Sequence, residues 1–260
     1  ISKEWIDRSN LMDKIITISE HSKSSFGRTS KEDTSPSGQI IQKKVTTPIS
    51  VVPYPVPQSS DSGIKLDLET SFNFLTFALW GERKNLPNTI RWFVEEFKDN
   101  PDVGMIVKTS LRSGCTIDKQ MTDATLKGLL RDHEDRKCKV YLLHGRLSEE
   151  ERSSLYQDDK VKSLVTLSHG EGFGLPIFEA ACSGLPIISP NWGGQVDFLT
   201  HKIEDKKGKM KNKGLFTKVE YDIAPVAQSS IWPGVIDEGS RWCYPKQNSY
   251  KSKLKEMYES

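Results

Sequence analysis

The chain has 260 residues, with 37 Lys+Arg against 35 Asp+Glu, 35% hydrophobic and 28% charged. That length holds one large domain or two small ones with a real core. A formal net charge of +2 gives no field for gripping nucleic acid in bulk, and no apolar run approaches the ~20 residues of a membrane-spanning helix.

Residues 1–10, ISKEWIDRSN, lack the apolar stretch of a signal peptide. Residues 14–18 read as a short apolar strand, with a helix opening at Ser19 or Ser22. Residues 24–48 are rich in Ser, Thr, Lys and Gly without apolar periodicity, so a surface loop is expected. Residues 49–55 read as a strand running into a proline-stiffened connection, and residues 72–79 as an apolar strand. Ile90, Phe93, Val94 and Phe97 mark one face of a helix. Strands follow at 104–108 and 140–143, separated by a shorter helical face of Leu126, Leu129 and Leu130. Ser148 and Glu151 form a capping box that opens the next helix. Then come a strand at 164–168, a helix at 176–183 and a strand at 185–188. A Lys-rich loop at 202–213, some aromatic-containing strand-like pieces and a helix near 251–258 complete the chain. Short apolar strands alternating with amphipathic helices predict an α/β fold, a Rossmann-like parallel sheet with helices on both faces.

The four cysteines, Cys115, Cys138, Cys182 and Cys243, form no C-x-x-C pair. No zinc site is expected, and reduced thiols in a cytoplasmic protein are.

Residues 168–180, SHGEGFGLPIFEA, join a strand to a helix. Pro176 suits the first helical turn and Gly184 the position just past the end. The loop therefore lies at the carboxyl end of a strand, where open α/β sheets bind ligands. Gly170, Gly172 and Gly174 allow a ligand close to the backbone. The amides of Phe173, Gly174 and Leu175, at a helix N-terminus, suit phosphate or sugar oxygens. Glu171 can accept from sugar hydroxyls and Glu179 from a ribose diol, each charge-assisted bond contributing roughly 1.5–3 kcal/mol. Taken singly, each acid reads as a solvated residue favoured by the helix dipole, and the glycines as turn formers. A dinucleotide fingerprint fits poorly, because the G-x-G-x-x-G spacing is absent and Asp197 is a weak ribose partner. The combination at one junction carries the functional reading.

Residues 171–179 resemble the E-x7-E signature of GT-B retaining glycosyltransferases, the group 1 or family 4-like enzymes that use nucleotide sugars. Residues 180–187 and Gly193-Gly194 extend the likeness, which covers about residues 45–200. The resemblance implies a nucleotide-sugar-binding Rossmann-like domain at 58–245, a remnant of an acceptor domain with linker at 1–57, and a C-terminal helix at 246–260. It implies that Glu171 meets the donor sugar and that Lys84 faces the leaving diphosphate, where a cation stabilises charge growing in the transition state. Glu179 would meet the ribose, and the amides of Gly172, Phe173, Gly174 and Leu175 the sugar and diphosphate. Arg146 and Leu147 would bracket the base, Lys108 would reach the phosphates and His169 would line the site. On spacing alone, Arg83 and Lys84 read as a solvated loop pair, and Lys108 as a cation able to snorkel. For His169 a satisfied structural role reads equally well.

The implied donor is UDP- or GDP-linked and is substrate, with no metal and no other cofactor. Two departures stand out. Ala78 occupies a place where the family often has Arg, and residues 1–57 are too few for an acceptor domain. A partner chain or a further N-terminal domain would then complete the cleft. A non-catalytic nucleotide- or glycan-binding module and an NAD-dependent oxidoreductase are the alternatives.

Overall fold

The structure, a computed structural model, describes residues 1–56, 63–204 and 208–260, so the expected boundary at 57/58 lies outside the described residues. The first part comprises α1 (Trp5–Ser9), β1 (Ile15–Thr17) and α2 (Glu20–Arg28). Ser19 caps α2, its hydroxyl accepting from the Ser22 amide at 3.0 Å. The loop expected at 24–48 is instead the end of α2 followed by an antiparallel hairpin, β2 (Ser30–Thr34) and β3 (Ile40–Lys44). Then β4 (Ile49–Val51) pairs in parallel with β1.

The main body follows the expected alternation: β5 (Phe72–Phe77), α3 (Leu86–Phe97), β6 (Val103–Thr109), α4 (Thr116–Leu130), β7 (Lys139–His144), α5 (Glu149–Gln157), β8 (Val161–Val165), α6 (Leu175–Cys182) and β9 (Ile187–Pro190). The Lys-rich stretch expected as a loop forms an antiparallel hairpin, β10 (Thr200–Glu204) with β11 (Met210–Gly214). Next, β12 (Thr217–Val219) joins the main sheet, β13 (Tyr221–Pro225) pairs with β14 (Arg241–Pro245), and α7 (Gln247–Tyr258) follows. That helix begins four residues earlier than expected.

Six parallel strands form the sheet in the order β12-β9-β8-β5-β6-β7. The chain leaves β5 toward β6 and β7, then crosses back to place β8 on the other side of β5. The carboxyl edge between β5 and β8 is thus the topological switch point, where the crevice of such sheets opens. Neighbouring strand residues point to opposite faces. Phe74 joins Leu86, Ile90, Phe93 and Phe97 of α3 in one core layer, with Tyr250 of α7. Leu75 joins Leu155 of α5 and Ile177 of α6 in the other. All seven residues of β6 are buried, as a strand covered on both faces requires. Tyr250 donates its hydroxyl to the Thr89 carbonyl at 3.3 Å, tying α7 to α3. This is the Rossmann-like α/β arrangement that the alternating pattern predicts.

Candidate functional site

Two loops meet at the switch point. After β5 the chain turns through Lys84 and Asn85, and Asn85 adopts φ 54°. Asparagine tolerates this left-handed conformation because its short amide bonds locally. Here the Asn85 amide donates to the Leu167 carbonyl at 3.2 Å. The His169 amide and Ser168 hydroxyl donate to the Arg83 carbonyl at 2.8 and 3.2 Å. These three bonds fasten the Lys84 turn to the chain beyond β8.

The result brings Lys84 and Glu171 together: Lys84 Nζ lies 2.6 Å from Glu171 Oε1. Arg83 stands 3.4 Å from Glu171 Oε2 and donates to the Gly170 carbonyl. Glu171 keeps only 10% of its side chain exposed, so the pair is screened less than a surface pair would be.

The glycine loop is braced from both sides. Ser19 donates its hydroxyl to the Gly172 carbonyl at 2.6 Å, so the capping residue of α2 also holds this loop. The Gly194 amide donates to the Glu171 carbonyl at 2.8 Å. A Cβ on Gly194 would fall 2.0 Å from the Gly172 carbonyl oxygen, so only glycine permits this approach. Gly174, at φ 92°, turns the chain into α6 without a side-chain cap. Among the described residues, none accepts a hydrogen bond from the amides of Phe173, Gly174 or Leu175. Those donors, with the positive end of the α6 dipole, form an anion-directed face. The Phe173 ring itself is buried, against Tyr54, Phe178 and Phe198.

Glu179 takes a different environment from Glu171. Its Oε2 accepts from Tyr156 Oη at 3.0 Å and lies 3.4 Å from Arg152 Nε. Burial, and then the adjacent Glu179 charge, push the Tyr156 phenol far up, so it remains a donor. Arg152 also donates to the Leu147 carbonyl at 3.2 Å. It lines a pocket of about 500 Å³ together with Lys108, Arg112, Arg146 and Leu147. Lys108 is buried, which pushes its pKa down; it donates to the Gly145 carbonyl and stands 5.1 Å from the Phe77 ring centre. The pocket thus carries four basic side chains and no carboxylate. Sequence reasoning had no local signal for Arg152, Tyr156 or Arg112, because their contacts run between separate elements.

A second, larger cleft of about 890 Å³ opens on the other side of the loop, between α2 and residues 170–172 and 191–193. Arg83 and Glu171 face it. His169, expected to line the site, lines neither of these clefts. Its Nδ1 donates to the Cys243 carbonyl at 2.6 Å and its ring stacks on Trp242 at 5.4 Å, so the imidazole is spent on joining β14 to the loop. Burial pushes its pKa down. Among the described residues, no group of three His, Cys, Asp or Glu side chains could hold a metal ion, and no helix is long and apolar enough to cross a membrane.

No protein-family model matches the chain. A serotype-specific mannosyltransferase of Escherichia coli, WbdA, is 29% identical over 116 residues, covering 45% of this chain and 13% of that protein. Sucrose-phosphate synthase from Thermosynechococcus elongatus superposes with a TM-score of 0.60 at 13% identity, over 98% of this chain and 51% of that one. A glycosyltransferase from Rickettsia africae gives 0.57 at 12% identity, over 100% and 57%. The pneumococcal O-GlcNAc transferase GtfA, solved with UDP and GlcNAc, gives 0.54 at 16% identity, over 98% and 40%. The chain therefore spans about an eighth of the curated relative and between two fifths and three fifths of these solved chains. Its six-stranded parallel sheet, flanked by helices, is the α/β fold of GT-B glycosyltransferases.

Proposed function

We propose that the chain is the donor-binding half of a retaining glycosyltransferase, moving a sugar from a UDP- or GDP-linked donor to an acceptor hydroxyl. The match to a mannosyltransferase makes mannose the first sugar to try. In this reaction the C1–O bond to the diphosphate breaks. The acceptor oxygen bonds to C1 on the same face, and its proton leaves on the departing phosphate.

One observation carries the reading: Lys84 and Glu171 meet at the switch point beside the unpaired amides that lead into α6. The amides and Lys84 meet the charge that grows on the leaving diphosphate, which is where binding energy raises rate. Glu171 takes the sugar hydroxyls. The cationic pocket takes the nucleoside and the phosphate joined to it, with Lys108 toward that phosphate and Arg146 and Leu147 against the base. Glu179, outside the pocket's lining but held by Tyr156 and Arg152, meets the ribose at its edge. The donor is a substrate, and no resident cofactor enters this scheme.

Calorimetric titration with UDP, GDP and NADH tests it. Saturable binding of UDP or GDP, weakened in Glu179→Ala, is the expected result. Absence of such binding, or tight NADH binding in its place, overturns the reading.

A second reading concerns assembly. Leu11, Ile16 and Val52 are 82%, 66% and 52% exposed around the two-stranded parallel β1–β4 pair. Parallel strands are normally covered on both faces, which favours completion of residues 1–56 by further polypeptide, from this or a partner chain. Nucleotide binding without transfer by the isolated 260 residues supports that reading; full transfer activity refutes it.

A further inference from the structure

We propose that the cleft beside Glu171 holds a carbohydrate acceptor, whose rings stack on Trp5 and Trp192. This rests on the transferase reading and names the class of acceptor for the same site.

Both indoles are fixed in place. Trp192 packs at 4.8 Å against His21 of α2, with the rings at 76°. On another side it abuts Gly170, where an added Cβ would stand 3.1 Å from the indole. Trp192 is therefore anchored one residue from Glu171. Trp5, which also lines the cleft, is 40% exposed. Its Nε1 donates to the Gly234 carbonyl at 2.8 Å, so the ring is held although it faces solvent. A fixed indole face is electron-rich and receives the polarised C–H groups of a pyranose. It also offers large contact area at little conformational cost.

The charges favour a neutral, hydroxylated ligand. Arg28, Arg83 and Arg241 are balanced in the lining by Glu20, Glu171 and Asp197. A polyanion would meet the three carboxylates, and an acyl chain would strip water from all six charges without replacing it. Sugar hydroxyls both donate and accept, and so satisfy groups of either sign. His21 adds to this. Burial pushes its pKa down, against the pull of Asp197, and a neutral imidazole offers one donor and one acceptor. The cleft volume of about 890 Å³ is at the upper end of ordinary ligand sites, which run to about 1,000 Å³, and so has room for more than one sugar ring.

The test titrates the full 260-residue chain with α-mannobiose, maltose and lactose, with and without saturating UDP or GDP, by intrinsic tryptophan fluorescence and calorimetry. At least one disaccharide should give a saturable response. Trp192→Ala and Trp5→Ala should each weaken it by about tenfold, as truncation of an aromatic anchor does, while nucleotide affinity is unchanged. Trp5 lies at the surface, so its variant stays informative should Trp192→Ala melt early. A chain that binds nucleotide but no disaccharide overturns the acceptor assignment, as do tryptophan variants that bind sugar like the wild type. Disaccharide binding without any nucleotide binding supports the sugar cleft and overturns the transferase reading instead.

Discussion

The 170–179 segment serves two clefts of opposite character. Toward α5 lies a pocket with four basic side chains and no acid, which Glu179 reaches through Arg152. Toward α2 lies a larger cleft with three arginines, three carboxylates and three indoles, Trp5, Trp192 and the largely buried Trp242, which Glu171 faces directly. The charge of the first suits an anion, and the balanced lining of the second suits a neutral ligand with many hydroxyls. Under the proposed function, one loop stands where an activated, charged donor and an uncharged acceptor meet, and its two carboxylates, in different surroundings, take separate tasks.

The sharpest way to break this comparison is at the junction. Lys84→Ala removes the cation that the proposed function sets against the leaving diphosphate, and with it the partner of Glu171. Loss of one such electrostatic contact costs roughly 10²–10³ in kcat. Nucleotide affinity should change far less, because the pocket's own cations remain. Turnover with donor and acceptor, measured beside calorimetric binding, separates the two. Equal losses in both would place Lys84 in ground-state binding only.

In the proposed assignment Glu179 meets the ribose from just outside the cationic pocket, bonded to its Arg152, so Glu179→Ala acts on the nucleotide side. Removing a charged acceptor of two ribose hydroxyls should weaken the nucleotide by about tenfold or more, given roughly 1.5–3 kcal/mol per charge-assisted bond. Disaccharide binding should be untouched. Tyr156→Phe should have a smaller effect in the same direction, since it frees Glu179 from its clamp without deleting it. Should both variants alter sugar binding as well, the two clefts are not independent.

How much of this was legible in the sequence follows from locality. The 168–180 segment declared itself because strand, glycine loop, Pro176 and both carboxylates lie within one short stretch. The alternating strands and helices were legible for the same reason. The β2–β3 hairpin was hidden because Ser-Lys-Glu-Asp-Thr carries no apolar alternation, and Ile40 and Ile41 of its partner are adjacent and exposed rather than patterned on one face. The aromatic cleft was hidden more deeply. Trp5 and Trp192 are far apart in the chain and line one cleft with α2, which Ser19 holds to the glycine loop. His169 looked like a site residue because it is next to the motif, yet a backbone carbonyl far along the chain claims its ring.

Ionic strength discriminates the clefts without mutation. Exposed charge interactions fade as the screening length shortens from about 10 Å at 0.1 M to about 3 Å at 1 M salt. Nucleotide affinity should fall by about tenfold over that range, as four cations on one anion lose their reach. Disaccharide affinity should stay flat, because the lining charges of its cleft cancel. A parallel fall in both would show that the larger cleft also binds through net charge.

The smallest expected effect is on stability, and it belongs to the aromatic side. His21 and His169 both have pKa values pushed below the ordinary 6.5, in each case chiefly by burial. A folded imidazole with a lowered pKa binds fewer protons than its unfolded counterpart near pH 6. The stability it confers is therefore complete above about pH 6.5 and is lost as the pH falls below it. Asp118, whose pKa is pushed below 3.8 first by its bond to His144, adds nothing in that window, because it titrates only in stronger acid. The melting temperature should thus drop on going from about pH 7.5 to about pH 5.5, and a loss on the order of 1 kcal/mol would appear as roughly 2–4 °C in a chain of this size. His21→Gln should remove part of that slope and leave the rest to His169 and to the Ile1 amine, whose pKa burial pushes below 8.0. Because His21 borders the sugar cleft and no histidine lines the cationic pocket, acid should also weaken disaccharide binding before histidine protonation touches nucleotide binding. Isothermal titrations at the two pH values would reveal whether the clefts part company in that order.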